Sequence, residues 1–175
     1  MEKLLINVDG ASLGNPGESA IGIVIADGEG NIVEEISRPI GRTTNNVAEY
    51  RALIEAARAA QPYMPERTIF FTDSQLLANQ INGLYRVRRP NLENLNQAAR
   101  ELLERLPNWQ VRYVERSANW KAHRLAQQAV LSHGYSEESS DLVERLRSKA
   151  AQLSEADQRK LLSYATRLLE ESQQE

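Results

Sequence analysis

Three acidic residues, Asp9, Glu49 and Asp73, have the types and positions expected of a metal site. Asp9 follows the apolar run LLINV and Asp73 follows TIFFT, so each is predicted at the end of a β-strand. In an open α/β sheet, ligands bind beyond the carboxyl ends of the strands, where the topology reverses. Acids that reach this place from different strands would face one crevice, and their like charges would require a cation.

Glu49 is predicted in the first turns of a helix, where Ala52 and Leu53 at i+3 and i+4 direct it toward the protein body. Its spacing from Asn46 also fits a capping box at the helix N-terminus. The two aspartates likewise suit turns, because Asp-Gly and Thr-Asp-Ser are common turn sequences. The residue types alone therefore leave metal-binding and capping or turn interpretations open.

Taken together, the three carboxylates form an all-oxygen set that suits a hard divalent ion such as Mg²⁺ or Mn²⁺. Two such ions can activate a water on one side of a phosphodiester and stabilise the leaving oxygen on the other. The chain contains no cysteine, which excludes a thiolate metal site and a disulfide framework. These residues point to metal-dependent hydrolysis of a phosphodiester.

The elements that must position these acids follow from the apolar patterns, which predict the order βββαβααβα. The predicted strands lie near 3–9, 20–27, 31–40, 68–74 and 109–115, the first three as an antiparallel meander. The predicted helices lie over 45–60, 75–83, 92–106 and 119–134, with Pro107 ending the third and Gly134 capping the fourth. The layer rules then predict an α/β fold, a mixed sheet with helices on its faces.

The length of 175 residues predicts one domain over 1–134 and an extension over 135–175, joined by the polar sequence YSEESS. Residues 1–134 carry 15 basic and 15 acidic side chains, and the extension carries 6 and 9. The net charge of −3 excludes a strongly basic wrapper of nucleic acid but allows a local basic patch. The first apolar run is too short for a signal peptide or a membrane span, so we expect a cytoplasmic protein.

The extension is predicted to hold two helical segments separated near Ser154, where Ser154 and Asp157 resemble a capping box. Its second segment has an apolar stripe of leucines and alanine. Two interpretations remain open. The extension is either a two-helix hairpin with its own core or a surface for dimerisation or docking, so we expect a monomer or a homodimer.

Four sequence blocks, VDGASLGNPG, TTNNVAEYRAL, FTDSQLL and VERSANWKAHRLAQQA, resemble type 1 ribonuclease H and the wider ribonuclease-H-like nucleases. The resemblance covers roughly residues 3–133. It implies a five-stranded mixed sheet of order 3-2-1-4-5, an RNA–DNA hybrid as substrate, and two-metal hydrolysis of the RNA strand that leaves 5′-phosphate and 3′-hydroxyl ends. The alternative is a catalytically weakened module that binds hybrid or double-stranded RNA.

The resemblance also implies roles for individual residues. Asp9, Glu49 and Asp73 match the family's first three metal-binding acids. The turn Gly14, Asn15, Pro16, Gly17 matches the one that lets backbone approach the nucleic acid. Polar contacts to the minor groove are implied for Thr44, Asn45, Asn46 and Gln75. Short polar side chains suit this task because an A-like hybrid exposes 2′-hydroxyls in a wide minor groove.

The chain departs from the family pattern in the loop LYRVRRPNLENL, where some members have a long basic protrusion. Arg86, Arg88 and Arg89 form a small substitute that could contact phosphates, although an exposed arginine cluster is also ordinary solvated surface. We therefore expect weak, salt-sensitive binding of a duplex.

The second departure is His123, which occupies the place of the family's fourth metal-binding aspartate in VERSANWKAH. A neutral imidazole is a competent ligand for Mn²⁺ but a poor match for Mg²⁺. The resemblance thus implies two ions held by Asp9, Glu49, Asp73 and His123, with a preference for Mn²⁺. The other interpretation is a half-exposed histidine on the flank of the helix. The remaining histidine, His133, is predicted as a C-terminal helix cap.

Overall fold

A computed structural model describes the backbone of residues 1–172 and the side chains of residues 1–132, 146, 148–166. The strands are β1 (Lys3–Gly14), β2 (Gly17–Asp27), β3 (Ile32–Thr43), β4 (Arg67–Thr72) and β5 (Trp109–Tyr113). The helices are α1 (Asn45–Ala60), α2 (Gln75–Ile81), α3 (Pro90–Leu103), α4 (Trp120–Ala150) and α5 (Glu155–Ser172).

The five strands form one mixed sheet in the order β3-β2-β1-β4-β5. Strand β2 pairs antiparallel with β1 and β3, whereas β4 pairs parallel with β1 and β5. The predicted sheet order, the antiparallel meander and the α/β class are therefore confirmed. The direction changes at β1, and this is the place where the ends of parallel strands leave a crevice.

Strand β1 is longer than predicted, because it continues past Asp9 to Gly14. The prediction that Asp9 ends the strand is wrong. Its parallel ladder with β4 does stop at the pair Val8 and Thr72, while its antiparallel ladder with β2 continues to the hairpin turn. Asp9 and Asp73 are therefore the first residues beyond the parallel ladder, although only Asp73 lies beyond a strand end.

Helices α1, α2 and α3 contribute to one buried core with the sheet. The side chains with no more than 1% of their surface exposed include Leu4, Ile6, Val8, Ile23, Tyr50, Leu53, Phe70, Leu77 and Leu103. The hydroxyl of Tyr50 donates to Gln80 Oε1 at 2.9 Å and accepts from Asn96 Nδ2 at 3.1 Å. This network of hydrogen bonds joins α1 to α2 and to α3.

Helix α1 has the predicted bounds, and its cap is Thr44, whose hydroxyl accepts from the Val47 backbone N–H at 3.4 Å. The alternative interpretation of Glu49 as a capping-box partner of Asn46 is wrong, since the helix has already begun one residue before Asn46. Helix α3 begins at Pro90, where proline's missing N–H is harmless, and it ends at Leu103 before reaching Pro107. The predicted bounds of α3 are therefore shifted toward the N-terminus.

Helix α4 continues through Gly134 to Ala150, so the predicted cap at Gly134 and the polar linker after it are wrong. Glycine inside a helix costs only about 1 kcal/mol relative to alanine, so a good helical neighbourhood tolerates it. Compact units nevertheless comprise Met1–Gly134 and Tyr135–Glu175. His133 lies inside α4, so its predicted role as a C-terminal cap is wrong as well. The side chain of His133 lies outside the described residues.

In the second unit, the hydroxyl of Ser154 accepts from the Asp157 backbone N–H at 3.3 Å and donates to the Asp157 carboxylate at 2.7 Å. The predicted capping pair at the start of α5 is confirmed. Among the described residues, no helix combines the length and the apolar character needed to span a bilayer.

Candidate metal centre

Three carboxylates converge beyond the end of the parallel ladder. Asp9, Glu49 and Asp73 each offer one oxygen atom, and these atoms lie within 4.8 Å of one another. Asp9 and Glu49 are 2% and 5% exposed, and the side chain of Asp73 is also buried. Three acids gathered out of water at this distance form a site that favours a bound cation or protonated carboxyls.

Backbone contact between α1 and β1 positions Glu49 next to Asp9. A Cβ atom on Gly10 would lie 2.4 Å from the backbone carbon of Ala48 and the backbone nitrogen of Glu49, closer than real Cβ atoms come. Glycine is therefore required where the first turn of α1 meets β1. The backbone N–H of Gly10 also donates to the Glu49 carboxylate.

Burial and neighbouring carboxylates raise the pKa of both Asp9 and Glu49. Burial, and then the charge of Asp73, raises the pKa of Asp9 from 3.8 to about 7. Burial, and then the charges of Asp9 and Asp73, holds the pKa of Glu49 well above its usual value. The Oε2 atom of Glu49 has no hydrogen-bond partner in the described part of the chain. A buried oxygen without a partner, facing two other acids, suits a cation.

Asp73 behaves differently because it has two donors. Burial opposes its ionisation, but hydrogen bonds from Arg116 and Asn119 hold the pKa of Asp73 below its usual value. Arg116 Nε lies 2.9 Å from Oδ2, and Asn119 Nδ2 lies 3.1 Å from Oδ1. The same amide nitrogen of Asn119 donates to the Val8 carbonyl at 2.9 Å. The Oδ1 atom of Asn119 accepts a hydrogen bond from the Asn7 side chain. Asn119 thus links Asp73 to the end of β1.

Sequence reasoning did not assign roles to Arg116 or Asn119. Both stand in the block VERSANWKAH, in which the family resemblance implies a role for His123. The available signal was the presence of an arginine and an amide in the turn before α4, within the same block as the histidine. Their contacts cross 43 and 46 residues of sequence, so the chain had to fold before their partner could be identified.

His123 contacts one of the three acids. Its Nδ1 lies 2.9 Å from Asp9 Oδ2, and its side chain is 23% exposed. The potential ligand atoms that lie within 4.8 Å of one another are oxygens of Asp9, Glu49 and Asp73, and no ring nitrogen of His123 belongs to this group. Gly22, the register partner of Asp9, explains the approach of α4. A Cβ there would lie 2.1 Å from the Ala122 carbonyl oxygen.

The residues predicted to contact nucleic acid lie in three regions, the first at the start of α1. Asn15 Oδ1 accepts from the Asn45 backbone N–H at 3.2 Å, which joins the β1–β2 turn to the start of α1. Gly14 adopts φ +95° in that turn, a conformation that favours glycine. Thr44 caps the same helix, and Asn46 is its second residue. The structure therefore gathers these predicted contacts at one end of α1.

Gln75 is the first residue of α2, directly after the cap Ser74, and it is exposed two residues from Asp73. Arg86 and Arg88 are exposed in the loop between α2 and α3. Within the described side chains, neither arginine forms an ion pair, and no hydrogen bond connects them to the three acids. The structure leaves both guanidinium groups in solvent.

Comparison with known proteins gives a consistent set of relatives. A family model described as reverse transcriptase-like matches residues 7–129. The Ribonuclease HI of Halobacterium salinarum is 43% identical over 122 residues, which are 70% of this chain and 61% of that protein. The Bifunctional protein Rv2228c of Mycobacterium tuberculosis is 35% identical over 129 residues, which are 73% of this chain. The chain matches only 35% of the length of that relative.

Solved structures agree with the sequence relatives. The crystal structure of RNase H1 from Halobacterium salinarum is 40% identical with a TM-score of 0.72, over 74% of this chain and 98% of that chain. LC11-RNase H1 in complex with RNA/DNA hybrid is 36% identical with a TM-score of 0.71, over 74% of this chain and 98% of that chain. The family model ends at residue 129, before the extension.

Proposed function

The chain belongs to the type 1 ribonuclease H family, and on that premise we propose that it is an endonuclease that hydrolyses the RNA strand of RNA–DNA hybrids. Cleavage would leave 5′-phosphate and 3′-hydroxyl ends. The observation that carries the proposal is the convergence of three buried carboxylates within 4.8 Å beyond the parallel ladder. The hybrid bound to LC11-RNase H1 supports the choice of substrate.

Asp9, Glu49 and Asp73 would hold two divalent ions, either Mg²⁺ or Mn²⁺. The residues fit such ions because their donors are all oxygen and Glu49 presents a buried oxygen without a partner. The chemistry that two such ions supply when bound is activation of a water on one side of a phosphodiester and stabilisation of the leaving oxygen on the other.

The protein's own groups prepare this site in different protonation states. Asp73 is ionised at neutral pH, because Arg116 and Asn119 lower its pKa, and it accepts a cation without first losing a proton. Asp9 and Glu49 must release protons before they become ligands, since burial raises the pKa of both carboxyls. Asn119 keeps the Asp73 carboxylate oriented toward the end of β1.

His123 would take the position that the family gives to a fourth acid, and we propose a preference for Mn²⁺ on this basis. The contact of its Nδ1 with Asp9 at 2.9 Å supports a place beside the metal ligands. Imidazole is a better ligand for Mn²⁺ than for Mg²⁺, which prefers oxygen. An imidazole in place of an acid also leaves one negative charge fewer to attract the second ion.

The hybrid's minor groove would contact the turn and helix start that the structure gathers together. The hydrogen bond between Asn15 and Asn45 supports a single contact surface there. The full set of proposed contacts is Gly14, Asn15, Thr44, Asn45, Asn46 and Gln75. Arg86 and Arg88 would bind backbone phosphates, and their exposure without ion pairs in the described chain supports that role.

A cleavage assay on an end-labelled RNA–DNA hybrid, with Mg²⁺ and with Mn²⁺, tests the function. We expect cleavage of the RNA strand only, and loss of cleavage in Asp73→Asn. Asp27→Asn is the matched control, because Asp27 is the last residue of β2, opposite Leu4 at the start of β1, and its carboxylate accepts hydrogen bonds from Asn31. Hybrid binding without cleavage in either metal would favour the alternative, a catalytically weakened binding module.

We also propose that residues 1–134 carry this activity and that residues 135–175 form a separate helical extension. The division into compact units at the same position supports this organisation. Comparing the full chain with a chain truncated after Gly134 tests it. Equal cleavage by both forms is expected, and light scattering of the two shows whether the extension makes a homodimer.

A further inference from the structure

The start of α4 carries an exposed strip of side chains that the proposed function does not use. The strip comprises Trp120, Lys121 and Arg124, and we name it the cationic strip. The indole of Trp120 is 49% exposed. Lys121 Nζ lies 5.7 Å from the centroid of its ring, and Arg124 Cζ lies 5.2 Å from the same centroid. Two cations therefore lie over one half-exposed aromatic ring.

The cationic strip lies beside the acid cluster. Asn119, which directly precedes Trp120, donates to Asp73 at 3.1 Å. His123, on the same first turn of α4, contacts Asp9 at 2.9 Å. At 100° per residue, the side chains at 120, 121 and 124 share one side of the helix, and position 123 is next to that side. A strand that reaches the acids from this direction must pass the strip.

The charge distribution around the acid cluster favours a phosphate-binding role for the cationic strip. Residues 116–124 contain three cations and no carboxylate, whereas residues 1–134 together carry equal numbers of acidic and basic side chains. A nucleic-acid strand carries one negative charge per phosphate, so cations beside the acid cluster favour its approach there. Arg116 is engaged with Asp73, while in the described chain neither Lys121 nor Arg124 forms an ion pair. These two cations remain available to phosphates.

The indole ring of Trp120 restrains the side chains of both Lys121 and Arg124. An exposed cation–π contact contributes about 0.5–1 kcal/mol, which restricts a long side chain without removing its charge. Restricting Lys121 and Arg124 before binding reduces the entropy lost when they meet a phosphate backbone.

We propose that the cationic strip is a phosphate-binding subsite for a nucleic-acid strand that passes the acid cluster, with Trp120 as the platform that holds the two cations. The identity of that strand, as part of an RNA–DNA hybrid, rests on the proposed function. The strip adds a second basic surface to the one predicted in the α2–α3 loop.

Salt-dependent binding tests the two cations. Anisotropy of a fluorescein-labelled RNA–DNA hybrid is measured with the full chain, with Ca²⁺ in place of the reactive ions, over a series of salt concentrations. Loss of two phosphate contacts in Lys121→Gln/Arg124→Gln should reduce the slope of log K against log salt by about 2. The same change weakens binding on the order of 50-fold at about 0.1 M salt.

The matched control is Lys3→Gln/Arg67→Gln, which removes one lysine and one arginine from the starts of β1 and β4, the ends of these strands that lie farther from the acids. Lys3 and Arg67 are register partners at the start of the parallel ladder, and the acids lie beyond its other end. The control should keep the wild-type slope and affinity. Equal slopes for the two double variants, with circular dichroism showing both folded, would overturn the assignment.

Trp120 is tested separately from the cations. Trp120→Ala should weaken binding about two- to fivefold, the loss expected from a cation–π contact, and Trp120→Phe should restore most of it. The same hybrid is also prepared with a single-stranded overhang. A loss in Trp120→Ala that is confined to the overhang substrate would show a ring stacked on an unpaired base, and would overturn its role as a platform.

The wild-type cleavage assay separates this proposal from the proposed function. If the wild type cleaves the hybrid while the two double variants bind it equally, the strip assignment fails and the nuclease function stands. If the wild type cleaves nothing in either metal while Lys121→Gln/Arg124→Gln alone loses salt-dependent binding, the nuclease function fails and the strip stands.

Discussion

The imidazole Nδ1 of His123 lies 2.9 Å from Oδ2 of Asp9, and this contact joins the start of α4 to the central strand β1. Asp9 also belongs to the set of three converging carboxylates. One aspartate therefore contacts both the acid cluster and a histidine at the position where the family resemblance implies an acid. A change at position 123 should alter the metal preference of the site through this shared residue.

Replacing the histidine by an acid should restore activity with Mg²⁺. In His123→Asp, an oxygen ligand and a further negative charge face the ions, so the ratio of Mg²⁺- to Mn²⁺-supported cleavage should rise about tenfold or more. Cleavage of a labelled hybrid in each metal measures this ratio. The same substitution at the other histidine, His133→Asp, is the control, and equal Mg²⁺ rates in wild type and His123→Asp would contradict the proposal.

Stability without metal should fall as the pH rises, because the pKa of Asp9 is raised in the folded protein. Burial, and then the charge of Asp73, raises this pKa from 3.8 to about 7, so the folded state holds the proton more tightly than the unfolded state. The resulting stabilisation is complete below about pH 3.8 and is lost as the pH rises through about 7.

Urea unfolding in EDTA, compared between wild type and Asp9→Asn, isolates this contribution. The free energy of unfolding of wild type minus that of the variant should decrease from about pH 4 to about pH 7, with a slope of at most about 1.4 kcal/mol per pH unit. A difference that stays constant or grows with pH would show that the pKa of Asp9 is not raised in the metal-free folded protein.

Glu49→Gln should raise the stability of the metal-free protein and reduce cleavage. Glu49→Gln relieves the repulsion from Asp9 and Asp73 in a buried site, so the metal-free variant should melt at a higher temperature than wild type at about pH 8. Loss of a proposed ligand should reduce cleavage by at least about 100-fold. Glu66→Gln, at an exposed position, should change neither property, and a lower melting temperature for Glu49→Gln would refute the repulsion.

A side chain on Gly22 should displace α4 from the sheet. Its Cβ would lie 2.1 Å from the Ala122 carbonyl oxygen and 2.5 Å from the Ala126 backbone nitrogen. Gly22→Ala should therefore destabilise the protein by about 1–3 kcal/mol and weaken Mn²⁺ binding, because His123 moves with the helix. Chemical unfolding and calorimetric titration measure both effects.

Gly28→Ala is the matched control for this substitution. The nearest atom to its added Cβ is Lys3 Cβ at 3.3 Å, a contact that a shift of a few tenths of an ångström relieves, so only a small change is expected. Wild-type stability in Gly22→Ala would show that α4 does not press on β2 as described.

Several features of the fold were predictable because neighbouring residues specify them. The bounds of α1 follow from a cap at Thr44 and an apolar period of a helix, and both are properties of one short segment. Gly134 shows the limit of such reasoning. A glycine near a polar stretch is typical of a helix end, yet α4 passes through it, since the local penalty is small compared with the rest of a long helix.

The sequence by itself determined which acids would form the candidate site and, through the family resemblance, the order of the strands that carry them. It did not determine how those acids are held. Gly10 and Gly22 look like ordinary glycines along the chain, and only the packed structure shows that a helix backbone lies against each of them. Likewise, Asn119 meets the Val8 carbonyl across 111 residues. Contacts of this kind depend on the packing of distant segments, and no pattern of neighbouring residues encodes them.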